Sequence, residues 1–169
     1  MAKSNQYPSI EQVRELPMLN SEVVDDQWED NNGHINVTYY MDFYNRSGWS
    51  MFAALGIDED YFDKKRMGIV DLENYIRYFR ELHVGNKVSL YCRYLAYDQK
   101  RFHGMTILTN DDTEEVACTF EFLTLSVDLT IRKSAPWPEH VIKHLETEVH
   151  ASKQLGWHYP NAMSLQRKN

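Results

Sequence analysis

The sequence predicts an α+β fold: a five-stranded antiparallel sheet wrapped around one long central helix, with a peripheral C-terminal helix. Three observations carry that prediction. Asn36 to Ala54 places apolar residues at helical spacing, the segments after Arg66 switch to a period of two between short turns, and a polar periodic segment follows Pro136 and Pro138. Consecutive hairpins favour antiparallel pairing, and one sheet face must then cover the apolar helix.

Taken in order, residues 1–15 read as a polar lead-in with little periodicity. Ser21 to Val24 is a short extended stretch. In the helix, Tyr40, Phe43, Tyr44, Met51, Phe52 and Leu55 share helical spacing, while Tyr39, Met41 and Trp49 spread round the other side. A helix apolar on most faces is expected to be buried on most faces. Gly56 is a reasonable stop, and Asp58 caps a short surface helix reaching Lys65.

The second strand puts Val70, Leu72, Ile76 and Tyr78 on one face and Asp71, Glu73, Tyr75 and Arg77 on the other. His83-Val84-Gly85-Asn86 is a turn, and Val88, Leu90, Cys92 and Tyr94 alternate along the third strand. Asp98-Gln99-Lys100 interrupts before Phe102 to Thr109. Asn110-Asp111-Asp112-Thr113 has hairpin chemistry, and Val116 to Leu129 is the last strand, with room for a bulge. Glu139 to Lys153 forms the terminal helix, and the tail after Gly156 reads as loosely packed.

The expected organisation is one domain over residues 1–169, with a core at about 18–133 and a C-terminal helix and tail at 138–169. The net charge of −7, with acids and bases intermixed, argues against a nucleic-acid partner, which requires a basic face. No apolar run approaches the ~20 residues of a membrane span. Cys92 and Cys118 sit in apolar alternating surroundings without a CxxC pair. With no secretory signal visible, two buried free thiols in a reducing, cytoplasmic compartment are expected. The seven histidines are scattered; His140 and His144 are one turn apart without a zincin acid, so no metal is expected.

The most informative stretch is Trp28-Glu29-Asp30-Asn31-Asn32-Gly33-His34-Ile35-Asn36, directly before the apolar helix. A carboxylate and a glycine at the mouth of a helix bring a base, backbone N–H donors and a positive helix end to one point. That is equipment for attacking a carbonyl. Asp30 lies too far ahead of Asn36 to be a simple N-cap.

Asp30-Asn31-Asn32-Gly33-His34-Ile35-Asn36, followed by Tyr39-Tyr40-Met41, resembles the entry to the central helix of hot-dog-fold thioesterases of the 4-hydroxybenzoyl-CoA thioesterase-like branch. Leu72 to Tyr78, with Glu81-Leu82 and Gly85, resembles their second strand. Lys100-Arg101-Phe102-His103 resembles the start of their fourth. Glu73 to Arg77 and Lys100 to His103 are similar, more narrowly, to betainyl-CoA thioesterases. Trp28 stands where many relatives carry a further aspartate, and Val37 where many carry a second Asn, which leaves the acyl pocket open.

The resemblance implies an acyl-CoA thioester hydrolase releasing CoA and a small carboxylic acid. It needs no cofactor beyond the coenzyme A of its substrate. It also implies a homodimer or homotetramer that pairs sheets across a two-fold axis, with the active site at that interface. Asp30 matches the general base or nucleophile, and the Gly33 and His34 amides the oxyanion hole. His34 orients substrate or Asp30, or fastens the turn. Glu73 is a supporting acid or the ion-pair partner of Arg77. Candidate substrate contacts are Asn31, Asn36, Tyr39, Tyr40, Arg77, Lys100 and Arg101. Among these, Asn36 is a helix cap or a water-positioning amide, and Lys100 with Arg101 either holds the CoA phosphates or is solvated. Tyr39, Tyr40, Tyr44, Trp49, Tyr75 and Tyr78 are core, or an aromatic box of the kind that holds a quaternary ammonium. Two rivals are a protein acting on or binding acyl-carrier-protein thioesters and a non-catalytic acyl-CoA-binding module.

Overall fold

A computed structural model of the protein describes residues 7–165. Its elements are α1 (Ile10–Arg14), β1 (Met18–Val23), α2 (Val37–Ala54), α3 (Glu59–Asp63), β2 (Met67–Tyr78), β3 (Lys87–Tyr97), β4 (Arg101–Asn110), β5 (Glu115–Asp128), β6 (Lys133–Ser134) and α4 (Glu139–Gln154). The sheet order is β1-β3-β4-β5-β2, with the two-residue β6 added to β5. Every pairing is antiparallel. The expected curled sheet around a central helix is therefore present, and this is the hot-dog architecture.

Helix α2 starts at Asn36, whose side chain accepts the Thr38 N–H at 2.9 Å. It ends at Leu55, after which Gly56 turns out of the helix with φ +77. Tyr40, Phe43, Tyr44, Ser47, Gly48 and Met51 are buried, and that spacing marks a single stripe. Each large side chain in the stripe contributes roughly 1.5–3 kcal/mol by leaving water. The opposite side stays open: Val37, Met41 and Trp49 are exposed. The expectation of a helix buried on most faces is thus corrected, because the sheet curls over one side only.

Strand β2 departs from simple alternation. Asp71 pairs with Thr124 but Glu73 pairs with Leu123, so Leu72 is an extra residue. A one-residue bulge exchanges the faces of everything beyond it. Asp71 therefore faces α2, as do Ile76 and Tyr78, whereas Glu73, Tyr75 and Arg77 point to the other side. The alternation that placed Val70 and Leu72 with Ile76 and Tyr78 fails at this bulge. A second irregularity lies in β5, where Leu108 opposes Cys118 and Thr109 opposes Val116.

The face away from α2 is also covered. Val13 and Leu16, from α1 and the residues just after it, join Tyr91, Met105, Ile107 and the tail residues Trp157 and Tyr159 in a second apolar cluster. Glu121, fully buried, pairs with His103 at 2.7 Å and accepts the Ala162 and Met163 amides at 2.7 and 2.8 Å. A buried carboxylate needs such partners, so the tail is latched to the sheet. The segment read as a polar lead-in with little periodicity holds helix α1, and the expectation of a loosely packed tail is corrected as far as residue 165; residues 1–6 and 166–169 lie outside the described residues. Helix α1 is five residues, too short to show a period, and Trp157 and Tyr159 are anchors without one.

Gly104 sits opposite Phe122 in the β4–β5 ladder, and a Cβ there would overlap the Phe122 ring. Replacing Gly104 with Ala should destabilise the fold by about 1–3 kcal/mol, the cost of overpacking a filled core. Urea unfolding measures this. An unchanged midpoint would mean that the Phe122 ring is free to move.

Candidate active site

The Asp30–Asn36 segment forms a tight loop at the N-terminus of α2. Gly33 N–H donates to Asp30 C=O at 3.0 Å, and Asp30 N–H donates to His34 C=O at 2.9 Å. Gly33 takes φ +80, a left-handed conformation that glycine adopts without strain. The loop is pinned from outside. Ile35 N–H donates to Leu82 C=O and Asn36 N–H to Trp28 C=O, while His83 Nδ1 lies 2.8 Å from Gly33 C=O.

The Asp30 carboxylate accepts the Asn32 N–H at 2.7 Å through Oδ1. Its Oδ2 lies 3.4 Å from Asn32 Nδ2 and 3.7 Å from His34 Nδ1. His34 Nδ1 is also 3.2 Å from its neighbour's carbonyl, Ile35 C=O. The arrangement brings Asp30 and His34 together at the helix mouth, and Asp30 holds the turn at the same time. Gly33 does not offer its amide, because that N–H is engaged within the loop. The His34 N–H has no acceptor among the described residues, and the first helical amide, Val37, is one of the donors a helix leaves unpaired. Of the two amides expected to serve an oxyanion, the Gly33 N–H is thus already bonded within the loop and the His34 N–H is open.

A cavity of about 360 Å³ opens beside this loop, lined by His34, Val37, Tyr40, Tyr78 and Arg80 among others. Tyr40 is buried edge-on to Tyr78, with ring centroids 5.1 Å apart at 80°. Burial raises the Tyr40 hydroxyl above its ordinary range, so it stays protonated. Tyr39 stacks on Trp28 at 5.7 Å, which is how the residue in place of a second motif aspartate is used. Asn36 serves as the helix cap. Asn31 stands exposed at the loop tip.

Other expected site residues lie elsewhere. Glu73 projects from the sheet face opposite α2, so it does not meet Asp30 in this chain. Its ion pair with Arg77 is not found among the described residues either: Arg77 donates to Tyr159 Oη at 2.7 Å and lies over the Phe79 ring at 5.0 Å. The β2 bulge explains Glu73, and the buried tail explains Arg77. Lys100 and Arg101 lie at the far end of β5 from the loop, since Arg101 pairs with Leu125 whereas Tyr78 pairs with Cys118. Arg101 is neutralised by Asp98 at 2.6 Å, and Lys100 Nζ approaches Ser134 Oγ at 3.2 Å.

A second cavity, about 280 Å³, lies between α2, α3 and the start of β2. Tyr44, Gly48, Trp49, Phe52, Phe62 and Asp71 line it. The sequence pattern pointed to Tyr44 and Trp49 but not to Gly48, Phe62 or Asp71. An isolated glycine inside a helical run was the legible signal; Asp71 was hidden by the bulge.

Comparison with known proteins agrees with this architecture. Residues 24–145 match the family model described as the thioesterase-like superfamily. A betainyl-CoA thioesterase of Pseudomonas aeruginosa is 25% identical over 76% of this chain and 81% of its own length. An L-carnitine dehydrogenase/betainyl-CoA thioesterase of a Rhizobium species is 29% identical over 84% of this chain, which spans only 29% of that longer protein. A Staphylococcus aureus protein solved in complex with CoA superposes with a TM-score of 0.78 at 19% identity, covering 88% of this chain and 97% of its own. The matched segment starts just after β1 and runs into α4, and on that basis the chain belongs to the thioesterase-like superfamily.

Proposed function

We propose that this protein hydrolyses a small acyl-CoA thioester, with Asp30 as general base or nucleophile. The observation that carries this reading is the pairing of a carboxylate with open amides at the start of α2, beside a cavity. With Asp30 as base, its carboxylate takes a proton from water, and the hydroxide attacks the thioester carbonyl. The carbonyl oxygen takes up the charge and is stabilised by His34 N–H and the helix start; each such donor contributes about 3 kcal/mol in comparable sites. Collapse breaks the carbon–sulfur bond, and the proton held by Asp30 passes to the departing thiolate. The products are free CoA and a carboxylic acid. The relatives named as betainyl-CoA thioesterases make betainyl-CoA the first substrate to assay.

The working unit is a two-fold dimer joined through β2, alone or within a tetramer. β2 is twelve residues long and has β5 on one side only. Val70, Leu72, Tyr75 and Tyr78 are exposed along it. Long, apolar edge strands are normally shielded, and pairing with a second copy is the simplest shield. At the substrate's other end, Lys100 is the cation available for the CoA phosphates, since Arg101 is already paired. No helix among the described residues is long and apolar enough to cross a membrane. The two free, buried cysteines suit a reducing, cytoplasmic setting.

Thiol release from a panel of acyl-CoAs tests the chemistry. Asp30→Asn should lower kcat about a hundredfold or more while leaving the fold intact. Full activity in Asp30→Asn would reduce Asp30 to a turn carboxylate, and a wild type that cleaves no acyl-CoA would end the hydrolase reading. Sedimentation equilibrium should give a mass at least twice the 20.0 kDa of the chain. A fully active monomer would remove the dimer from the account.

A further inference from the structure

The cavity between α2, α3 and β2 carries a consistent set of features. Trp49 meets Phe52 at 64° and Phe62 at 71°, so these rings stand as steep walls. Asp71 is the one charged residue in the lining. Its Oδ2 accepts from Tyr44 Oη at 3.2 Å and its Oδ1 from Thr124 Oγ1. Burial, and then Asp71 itself, raises the Tyr44 hydroxyl far above its ordinary range, so Tyr44 remains a neutral donor. None of the ion pairs among the described residues includes Asp71. The carboxylate is fixed in position by two hydroxyls and has no cationic side chain paired with it among the described residues.

Gly48 supplies an independent observation. It is buried in mid-helix, where glycine costs about 1 kcal/mol relative to alanine, yet a Cβ there would meet nothing within 4 Å. The space is kept open at a cost in helix stability. A cation with N–H groups needs several acceptors, and each Asp71 oxygen already holds one hydrogen bond, which leaves the carboxylate about half of its acceptor sites. A fully methylated ammonium needs none: it binds through aromatic faces and through charge.

The position of the cavity decides which thioester it serves. α2 lies antiparallel to β2, with Tyr40 against Tyr78 and Tyr44 against Asp71. From Val37 to Gly48 the helix rises about 16 Å. In a trimethylammonioacetyl group the carbonyl carbon and the nitrogen are two bonds apart, under about 3 Å. No such group reaches from the α2 N-terminus to the aromatic cavity of the same chain. Antiparallel pairing of two β2 edges, however, sets the C-terminal end of one beside the N-terminal end of the other. The Asp30 loop of one copy then faces the aromatic cavity of the second.

We propose that the cavity formed by Tyr44, Trp49, Phe52, Phe62 and Asp71 receives a quaternary ammonium head on the acyl group of the thioester held by a second copy's Asp30 loop. This rests on the acyl-CoA hydrolase and β2-dimer readings above, and it adds the residues that select a cationic acyl group. The test compares betainyl-CoA with 3,3-dimethylbutyryl-CoA, which replaces the nitrogen by carbon at equal shape. Wild type should prefer betainyl-CoA in kcat/KM, and Asp71→Asn should lower that preference about tenfold or more. Gly48→Leu, which fills the cavity, should lower it as well. The ratio is internal to each variant, so a general loss of activity does not mimic the effect; where Gly48→Leu lowers both substrates alike, the isosteric Asp71→Asn decides. Hydrolysis of both thioesters without preference, or a preference unchanged in Asp71→Asn, overturns this proposal and leaves the hydrolase reading standing. Failure of the wild type to cleave any acyl-CoA overturns both.

Discussion

The antiparallel lie of α2 along β2 is the constraint on which the rest of the molecule depends. Two contacts fix it: Tyr40 edge-on to Tyr78, and the Tyr44 hydroxyl on Asp71. Through the first, the helix N-terminus and its Asp30 loop are held at the C-terminal end of the strand. Through the second, the aromatic cavity is held along the N-terminal half of the strand. One helix lying on one edge strand thus separates the loop from the cavity by several turns. The same geometry, repeated about a two-fold axis, is what brings them back together on the proposed pairing.

The loop itself shows how structural and chemical demands coincide. Asp30 closes a turn by accepting the Asn32 amide, and Gly33 supplies the left-handed residue that the turn needs. Those hydrogen bonds fix the carboxylate near His34 at the start of the helix, where the helix end and open amides favour negative charge. A carboxylate that is already positioned loses little freedom when it works as a base, which is the sense in which the turn prepares the proposed chemistry.

Much of the fold was legible because its signals are local. Asn36 as cap, Gly56 as stop, Asp58 as the cap of α3 and the Asn110–Thr113 hairpin each depend on neighbours a few residues away. The motif around Asp30 was legible for the same reason. The unread parts are non-local. The bulge at Leu72 is set by pairing with β5, and it moved Glu73 off the helix face and brought Asp71 onto it. Trp157, Tyr159 and the Glu121 latch depend on contacts across most of the chain, so the tail carries no period that announces its burial. The openness of one side of α2 follows from sheet curvature, which composition does not encode.

Subunit complementation tests the central claim, that each site is completed by two copies, most directly. Asp30→Asn removes the proposed base, and Gly48→Leu blocks the proposed cavity. Mixed and reassociated, the two variants should form hybrid dimers in which one of the two sites keeps both wild-type halves. Betainyl-CoA hydrolysis should then recover to about a quarter of the wild-type rate, as random reassociation of two chains dictates. A mixture no more active than the sum of its parts, with hybrid dimers shown to form, would contradict a site shared between copies.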